Sequence, residues 1–123
     1  MQITTPVSDA LNRYLDLSSL SLKLTAQNMA NVDTPGYRTV GIDFAAEMSR
    51  SLENLDGKRG SGSPSMANVD TVDGLLERPD GNNVSMDREG MKMAEAQLQF
   101  RTGVELLKRE FTRELDAIHE DQK

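Results

Sequence analysis

The chain has 123 residues, of which 37% are apolar and 4% aromatic, and it carries a net charge of −6. At this length it forms one domain at most, and small domains bury a low fraction of their surface, so we expect partner subunits to complete its fold. The acidic balance argues against nucleic acid as a partner. The absence of cysteine excludes disulfides, thiolate metal sites and a cysteine nucleophile.

The sequence carries neither of two common membrane signals. Residues 1–9 contain no basic region followed by an apolar run, as a secretory signal peptide would. Nowhere does the sequence hold the roughly 18 consecutive apolar residues that cross a bilayer. We expect no direct membrane insertion. Both a cytoplasmic protein and one exported by a dedicated machine without a cleaved signal peptide fit this pattern.

The first predicted element is a long amphipathic helix that begins near Asp9 and ends near Ala30. Its candidate N-caps are Thr4, Thr5 and Ser8. Apolar residues recur at helical spacing on one face (Leu11, Leu15, Leu22 and Met29) and on a neighbouring strip (Leu17, Leu20 and Leu24). The seven-residue spacing of part of this set predicts a seam that packs against another helix.

A turn is predicted to end this helix, because Pro35 lacks the amide hydrogen that a helix needs and disfavours the helical region for Thr34. Gly36 can adopt the positive φ that such a turn requires. Short polar side chains can bond free backbone groups, and an aromatic ring can anchor the redirected chain. The turn residues that we single out are Asn28, Ala30, Asn31, Asp33, Thr34, Pro35, Gly36 and Tyr37.

The middle of the chain is predicted to be short and irregular. Alternating Val40, Ile42 and Phe44 favour an extended segment, and residues 45–55 favour a short helix. Residues 56–64 have the composition of a flexible linker. Beyond them, the dipeptides Asp73-Gly74 and Asp80-Gly81 are typical of turns, either in a hairpin or in a loop that contains a strand.

A second, longer helix is predicted to begin near Asn83, with Ser85 or Asp87 as its N-cap, and to end near His119. Two apolar series with seven-residue spacing interleave along it: Met93, Phe100 and Leu107, and Val104, Phe111 and Ile118. This pattern predicts the seam that packs against the first helix. Gly103 lies beside the seam and would permit close approach of the two helices.

The sequence offers no candidate catalytic, metal-binding or cofactor-binding residue. His119 is the one histidine and lies in a charged tail. Asp70, Asp73, Glu77 and Asp80 do not follow the spacing of a calcium-binding EF-hand loop. An active site needs convergent titratable groups, so we predict a protein that is not an enzyme and that needs no cofactor.

The letters of the turn, Ala-Asn-Val-Asp-Thr-Pro-Gly-Tyr at residues 30–37, resemble the signature of the flagellar basal-body rod and hook family of axial proteins. Residues 80–89, the pattern that follows them through Leu107, and Gly-Ile-Asp-Phe at residues 41–44 are similar to the proximal rod members of that family. The resemblance covers residues 8–48 and 79–119. Two residues depart from it, since the family often has Asn at the place of Ala96 and Ala at that of Gly103.

The resemblance implies a mainly α fold, in which long N- and C-terminal helices pair as an antiparallel coiled-coil hairpin around a short irregular or β-containing middle segment. It divides the chain into an N-terminal axial helix at 1–35, a middle segment at 36–83 and a C-terminal axial helix at 84–123. The seam residues would close the hairpin within one subunit, and the remaining apolar strip of the first helix would face neighbours.

By the same resemblance, the chain would be a structural subunit of the proximal rod, assembling head-to-tail with copies and paralogues into the shaft that transmits torque. Its implied partners are itself and other flagellar rod proteins, the rod-to-MS-ring adaptor and the MS ring, and the flagellar type III export apparatus. Its place would be the basal body in the periplasmic space, reached without a cleaved signal peptide.

Two other hypotheses fit the sequence less closely. A cytoplasmic helical hairpin could act as an adaptor or export chaperone that binds a partner helix in its groove, and it would form a cooperative dimer on its own. A small enzyme would need an active site in the middle loop.

Overall fold

The computed structural model describes residues 4–56 and 65–122, and within them three helices and two short strands follow one another. In chain order these are α1 (Pro6–Ala30), β1 (Val40–Gly41), α2 (Phe44–Leu55), β2 (Asp70–Thr71) and α3 (Met86–Glu120). The long helices α1 and α3 pack side by side, α2 packs on α1, and the strands form a small sheet. The mainly α hairpin predicted from the sequence is therefore confirmed.

Local hydrogen bonds decide where the long helices begin. Thr5 and Ser8 form a capping box, in which the Thr5 hydroxyl accepts from the Ser8 amide (3.1 Å) and the Ser8 hydroxyl accepts from the Thr5 amide (2.9 Å). Pro6 occupies the first turn, where its missing amide hydrogen costs nothing. Ser85 rather than Asp87 caps α3 and accepts from the Arg88 amide (3.4 Å).

Contacts at three levels define the antiparallel pairing of α1 and α3. At one end the side chains of Asn28 and Glu89 hydrogen bond (3.0 Å). At the other end the Thr5 hydroxyl donates to the Glu110 carboxylate (3.3 Å). Between them lies Gly103, where an added Cβ would be 2.8 Å from Leu15 Cδ2. The prediction that Gly103 permits close approach is therefore confirmed.

The line of closest contact on α3 differs from the predicted seam. The buried residues of α3 are Glu89, Ala96 and Gly103, which also repeat every seven residues. The predicted series lies to one side: Met93, Val104 and Leu107 are half-buried, and Phe100, Phe111 and Ile118 are exposed. The reason is steric, since small residues let two helix backbones come close while bulky ones must sit beside the contact line.

The first helix shows the same arrangement. Its fully buried residues combine Leu17 and Leu24 with small or polar side chains, namely Ser8, Ser18, Thr25 and Asn28. The other predicted apolar residues of α1 are half-buried around this line: Leu11, Leu15, Leu20, Leu22 and Met29. Ser18 bonds within its own helix, donating to the Tyr14 carbonyl (2.7 Å), so its burial leaves no free hydroxyl.

The middle segment corrects one further expectation and decides between two others. The extended stretch ends before Phe44, because the Asp43 carboxylate caps α2 by accepting from the Ala46 amide (3.1 Å). Of the two alternatives for the segment with the Asp-Gly turns, the structure shows a loop that contains a strand, since β2 pairs antiparallel with β1 (Val40 with Thr71, Gly41 with Asp70). The predicted linker falls almost wholly on residues 57–64, which lie outside the described part of the chain.

One aromatic contact and one buried carboxylate hold α2 against α1. The rings of Tyr14 and Phe44 meet edge to face, with centroids 5.2 Å apart. Glu47 is buried between Arg50 (3.1 Å) and Arg13 (3.9 Å), and its Oε1 accepts from the Asn68 amide (3.1 Å). This contact brings the chain that follows residue 64 back to α2. None of the described helices is long and apolar enough to cross a bilayer.

Replacing Gly103 with valine should destabilise the pairing of α1 and α3, because the new side chain would meet Leu15 and Tyr14. We expect the free energy of unfolding to fall by about 1–3 kcal/mol, the usual cost of an overpacked contact. The control is valine at Gly90, where nothing lies within 4 Å of an added Cβ. It should lower the free energy by no more than about 0.5 kcal/mol. Urea denaturation followed by circular dichroism measures both, and equal losses would contradict the close fit.

Candidate functional site

Beneath the signature turn lies a group of buried polar side chains that we call the polar joint: Asn28 at the end of α1, Asn82 and Asn83 before α3, and Glu89 in the first turns of α3. Each is at least 95% buried, with exposed fractions of 1%, 0%, 5% and 1%, respectively. Buried amides and carboxylates are costly unless they are hydrogen bonded. Their partners therefore decide what the turn can do.

Asn28 makes four hydrogen bonds with its side chain. Its Nδ2 donates to the Val40 carbonyl (2.8 Å) and to Glu89 Oε2 (3.0 Å). Its Oδ1 accepts from the Tyr37 hydroxyl (3.0 Å) and from the Val40 amide (3.1 Å). Four bonds are all that one amide side chain can make. A single residue thus joins α1 to the end of the turn, to β1 and to α3.

Asn82 and Asn83 bind the same turn from the opposite segment. Asn82 Nδ2 donates to the carbonyls of Asn31 (2.9 Å) and Thr34 (2.8 Å), each of which also accepts a backbone amide of the turn. Asn82 Oδ1 accepts from the Val84 amide (2.8 Å). Asn83 Oδ1 accepts from the buried amide of Thr39 (2.7 Å). The loop before α3 is therefore bonded to the loop after α1 along most of its length.

Glu89 brings a charge into the joint. Its Oε2 accepts from Asn28, and its Oε1 pairs with Arg88 Nη1 at 2.7 Å. The Arg88 side chain is only 30% exposed, so the pair is shielded from water on one side. The position of Glu89 in the first turn of α3, near the positive end of the helix dipole, does not by itself reveal this role. No sequence signal could have found it, since an acidic residue in a first helical turn is common for that reason alone.

The turn itself presents its backbone outward. Asp33, Thr34, Pro35 and Gly36 are exposed, as is Ala30 before them. The Thr34 hydroxyl donates to Asn31 Oδ1 (3.1 Å), and Asn31 Nδ2 donates to the Gln27 carbonyl (2.8 Å).

Gly36 has φ 74° and donates its amide to the Asp80 carbonyl (2.8 Å). Gly81, with φ 83°, lies against it, and an added Cβ there would be 3.4 Å from Gly36 Cα. Of the predicted turn residues, Asn28 and Tyr37 thus point into the joint and the rest form its cover.

The opposite end of the hairpin carries exposed apolar side chains. Because Thr5 meets Glu110, the last ten residues of α3 extend beyond the start of α1 by about 15 Å. Three apolar residues line one face of this extension at helical spacing: Phe111, Leu115 and Ile118 are 45%, 55% and 50% exposed. We call this face the α3 tail stripe.

A second apolar surface lies between α1, α2 and α3. It is a groove of about 590 Å³ whose lining includes Val7, Leu11, Met48, Leu52, Leu55 and Leu106. Val7, Leu52, Leu55 and Leu106 are among the exposed large apolar residues. Such surfaces on a small chain typically mark contacts with other proteins.

The described residues show no arrangement of reactive side chains. Across residues 4–56 and 65–122, no three His, Cys, Asp or Glu side chains gather as metal ligands. His119 is exposed, and its Nδ1 lies 2.8 Å from the Leu115 carbonyl of its own helix.

Replacing Asn82 with alanine should strip the carbonyls of Asn31 and Thr34 of their buried partner. We expect a loss of about 1–3 kcal/mol in the free energy of unfolding, since these bonds disappear and the buried Val84 amide loses its acceptor. The control is Asn12→Ala on the exposed face of α1, which should change the free energy by less than about 0.5 kcal/mol. Urea denaturation compares the two. A loss at Asn82 no larger than at Asn12 would show that the joint does not hold the turn.

Comparison with known proteins assigns a family to this geometry. No protein-family model matches the chain. It is 31% identical over 106 residues to the flagellar basal body rod protein FlgB of Borrelia hermsii, and this match covers 73% of this chain and 78% of that protein. It is also 31% identical to FlgB of Salmonella typhimurium over 110 residues (76% and 78% of the two chains). The match to FlgB of Cereibacter sphaeroides is 31% over 102 residues (77% and 80%). The chain therefore belongs to the FlgB family of flagellar basal body rod proteins.

Proposed function

We propose that this chain is a structural subunit of the proximal flagellar rod and assembles head-to-tail into the shaft that transmits torque for swimming. Its membership of the FlgB family carries the proposal. Two exposed apolar surfaces, the α3 tail stripe and the groove, support it. They lie on different parts of the hairpin, and contacts between unlike surfaces give open helical filaments when the rotation between subunits does not close a ring.

The thin core supports the same function. Among the described residues, the apolar side chains that are fully buried are Leu17, Leu24, Val84 and Ala96. Each large apolar side chain that a neighbour covers contributes about 1.5–3 kcal/mol. Covering the tail stripe and the groove in an assembly would therefore add to the small apolar core of the isolated hairpin.

The polar joint supports a mechanical role. A shaft under torsion needs subunits whose helices keep a fixed angle to the segments between them. The joint provides this by bonding the end of α1, β1 and the start of α3 through the side-chain amides of Asn28 and Asn82, each of which donates twice. Many modest contacts of this kind, repeated in every subunit, would resist twisting together.

The proposal extends to partners and place. We assign the chain contacts with copies of itself and with other rod proteins, with the rod-to-MS-ring adaptor and MS ring at the base, and with the flagellar type III export apparatus on its way out. Its destination is the rod in the periplasmic space. The assignment gives the chain no catalytic role. The alternative of a cytoplasmic adaptor or export chaperone is not favoured, because the relatives are rod proteins.

Replacing Leu115 with aspartate places a charge in the middle of the tail stripe, where the side chain is 55% exposed. The chain should still fold, since this residue lies beyond the α1–α3 contact, but it should no longer assemble because a neighbour cannot bury the charge. We expect unchanged helix content by circular dichroism together with non-swimming cells of the source bacterium. Their basal bodies should lack the protein.

The matched control is Leu115→Met, which keeps the apolar contact and should swim normally. Cells that carry the aspartate variant and still swim would count against the tail stripe as an assembly surface.

A further inference from the structure

The pairing of α1 and α3 has a register that the packed residues alone do not determine. The buried positions of α3 repeat every seven residues at Glu89, Ala96 and Gly103. Those of α1 repeat likewise, since Leu17 is followed by Leu24 and Ser18 by Thr25. Sliding one helix along the other by seven residues therefore again sets the repeating positions of α3 against the contact face of α1. A shift of this size moves α3 by about 10 Å.

We propose that Glu89 is a positioning residue that fixes the α1–α3 register through its buried hydrogen bond to Asn28. In the observed register both side chains are 1% exposed and 3.0 Å apart. A slip of seven residues in one direction brings Glu89 opposite the middle of α1, near Ser21. A slip in the other direction carries it past the end of α1. Both slips separate the carboxylate from the Asn28 amide and leave both groups without their partner.

The surroundings of Gly103 agree with this register. An added Cβ there would lie 2.8 Å from Leu15 Cδ2 and 2.9 Å from Tyr14 Cδ1, so any larger residue would force these side chains to shift. A slip in one direction would put Ala96 in this place, and a slip in the other would put Glu110 there. The observed register is thus the one that gives glycine the tight position and Glu89 its amide partner.

The consequence for assembly rests on the proposed function. The register decides how far the tail stripe extends beyond α1 and how it stands relative to the groove. A shifted hairpin would present both surfaces at the wrong spacing for a head-to-tail contact. Glu89, which is buried far from either surface, would in this way set the geometry of the contact between subunits.

Distance measurement between two spin labels tests the register directly, because the chain has no cysteine of its own. The labels go on cysteines at Ala26 of α1 and Arg113 of α3, which are both exposed and lie near opposite ends of the pair. Double electron–electron resonance on the purified full chain should give one main distance. A slip in either direction changes that distance by about 10 Å and appears as a separate population.

We expect Glu89→Ala to raise the displaced population about tenfold or more, since it removes a charge-assisted buried hydrogen bond. Glu89→Gln keeps an oxygen that can accept from Asn28 and should retain the single distance. The control Glu95→Ala removes an exposed carboxylate that pairs with Lys92 on the same helix, and it should also retain the single distance.

An unshifted single distance in Glu89→Ala would overturn the inference, as would a displaced population in Glu89→Gln. If Glu89→Ala unfolds and gives a broad distribution, Asn28→Asp decides, because it removes the amide donor to Glu89 and keeps an oxygen that can accept from Tyr37 and Val40. A displaced population in that variant supports the register role, and a single unshifted distance refutes it. The measurement uses the purified chain and needs no rod, so a refuted register role leaves the proposed function standing. Swimming cells that carry Leu115→Asp, with a single spin-label distance in the purified chain, would count against the proposed function alone.

Discussion

The hydrogen bond between Asn28 and Glu89 is the interaction on which the rest of this hairpin depends. It joins the end of one long helix to the beginning of the other, out of contact with water. A buried amide or carboxylate stabilises a fold only while its partner is present, and each becomes costly when that partner is lost. The polar joint therefore makes the observed arrangement of the helices and the turn much more stable than shifted arrangements. Apolar contacts alone would give a smaller difference in stability between them.

Small residues explain why a polar group can have this influence. Ser18, Thr25, Ala96 and Gly103 bring the two helix backbones close together, but they bury little apolar surface. Larger residues that would normally fill a core lie beside the contact line or beyond it, as Phe100 and Phe111 do. The isolated hairpin has one defined geometry but only a small apolar core. Both properties suit a subunit of an assembly in which neighbours supply the remaining burial.

The sequence predicted well what depends on nearby residues. The helix ends follow from Thr5, Ser85 and Pro35, and each acts on backbone groups within a few positions. The family resemblance, carried by the turn and by the start of α3, is confirmed by the FlgB relatives. The seam of α3 was predicted on the wrong face of the helix, because two faces share the same seven-residue repeat. Hydropathy identifies the face with bulky apolar residues rather than the face with small residues that packs against α1. The roles of Asn82 and Glu89 could not be predicted, since their partners lie about fifty residues or more away in sequence.

The long sequence separation of these contacts also affects the order in which they form during folding. Asn28 and Glu89 are 61 positions apart, and Asn82 reaches back 51 positions to Asn31. Contacts between such distant segments form late, because the intervening chain must first be closed into a loop. A polypeptide that emerges one end first, from a ribosome or from any narrow conduit, therefore stays open until its final third is free. The contacts between α1 and α3 then form where that last third becomes available.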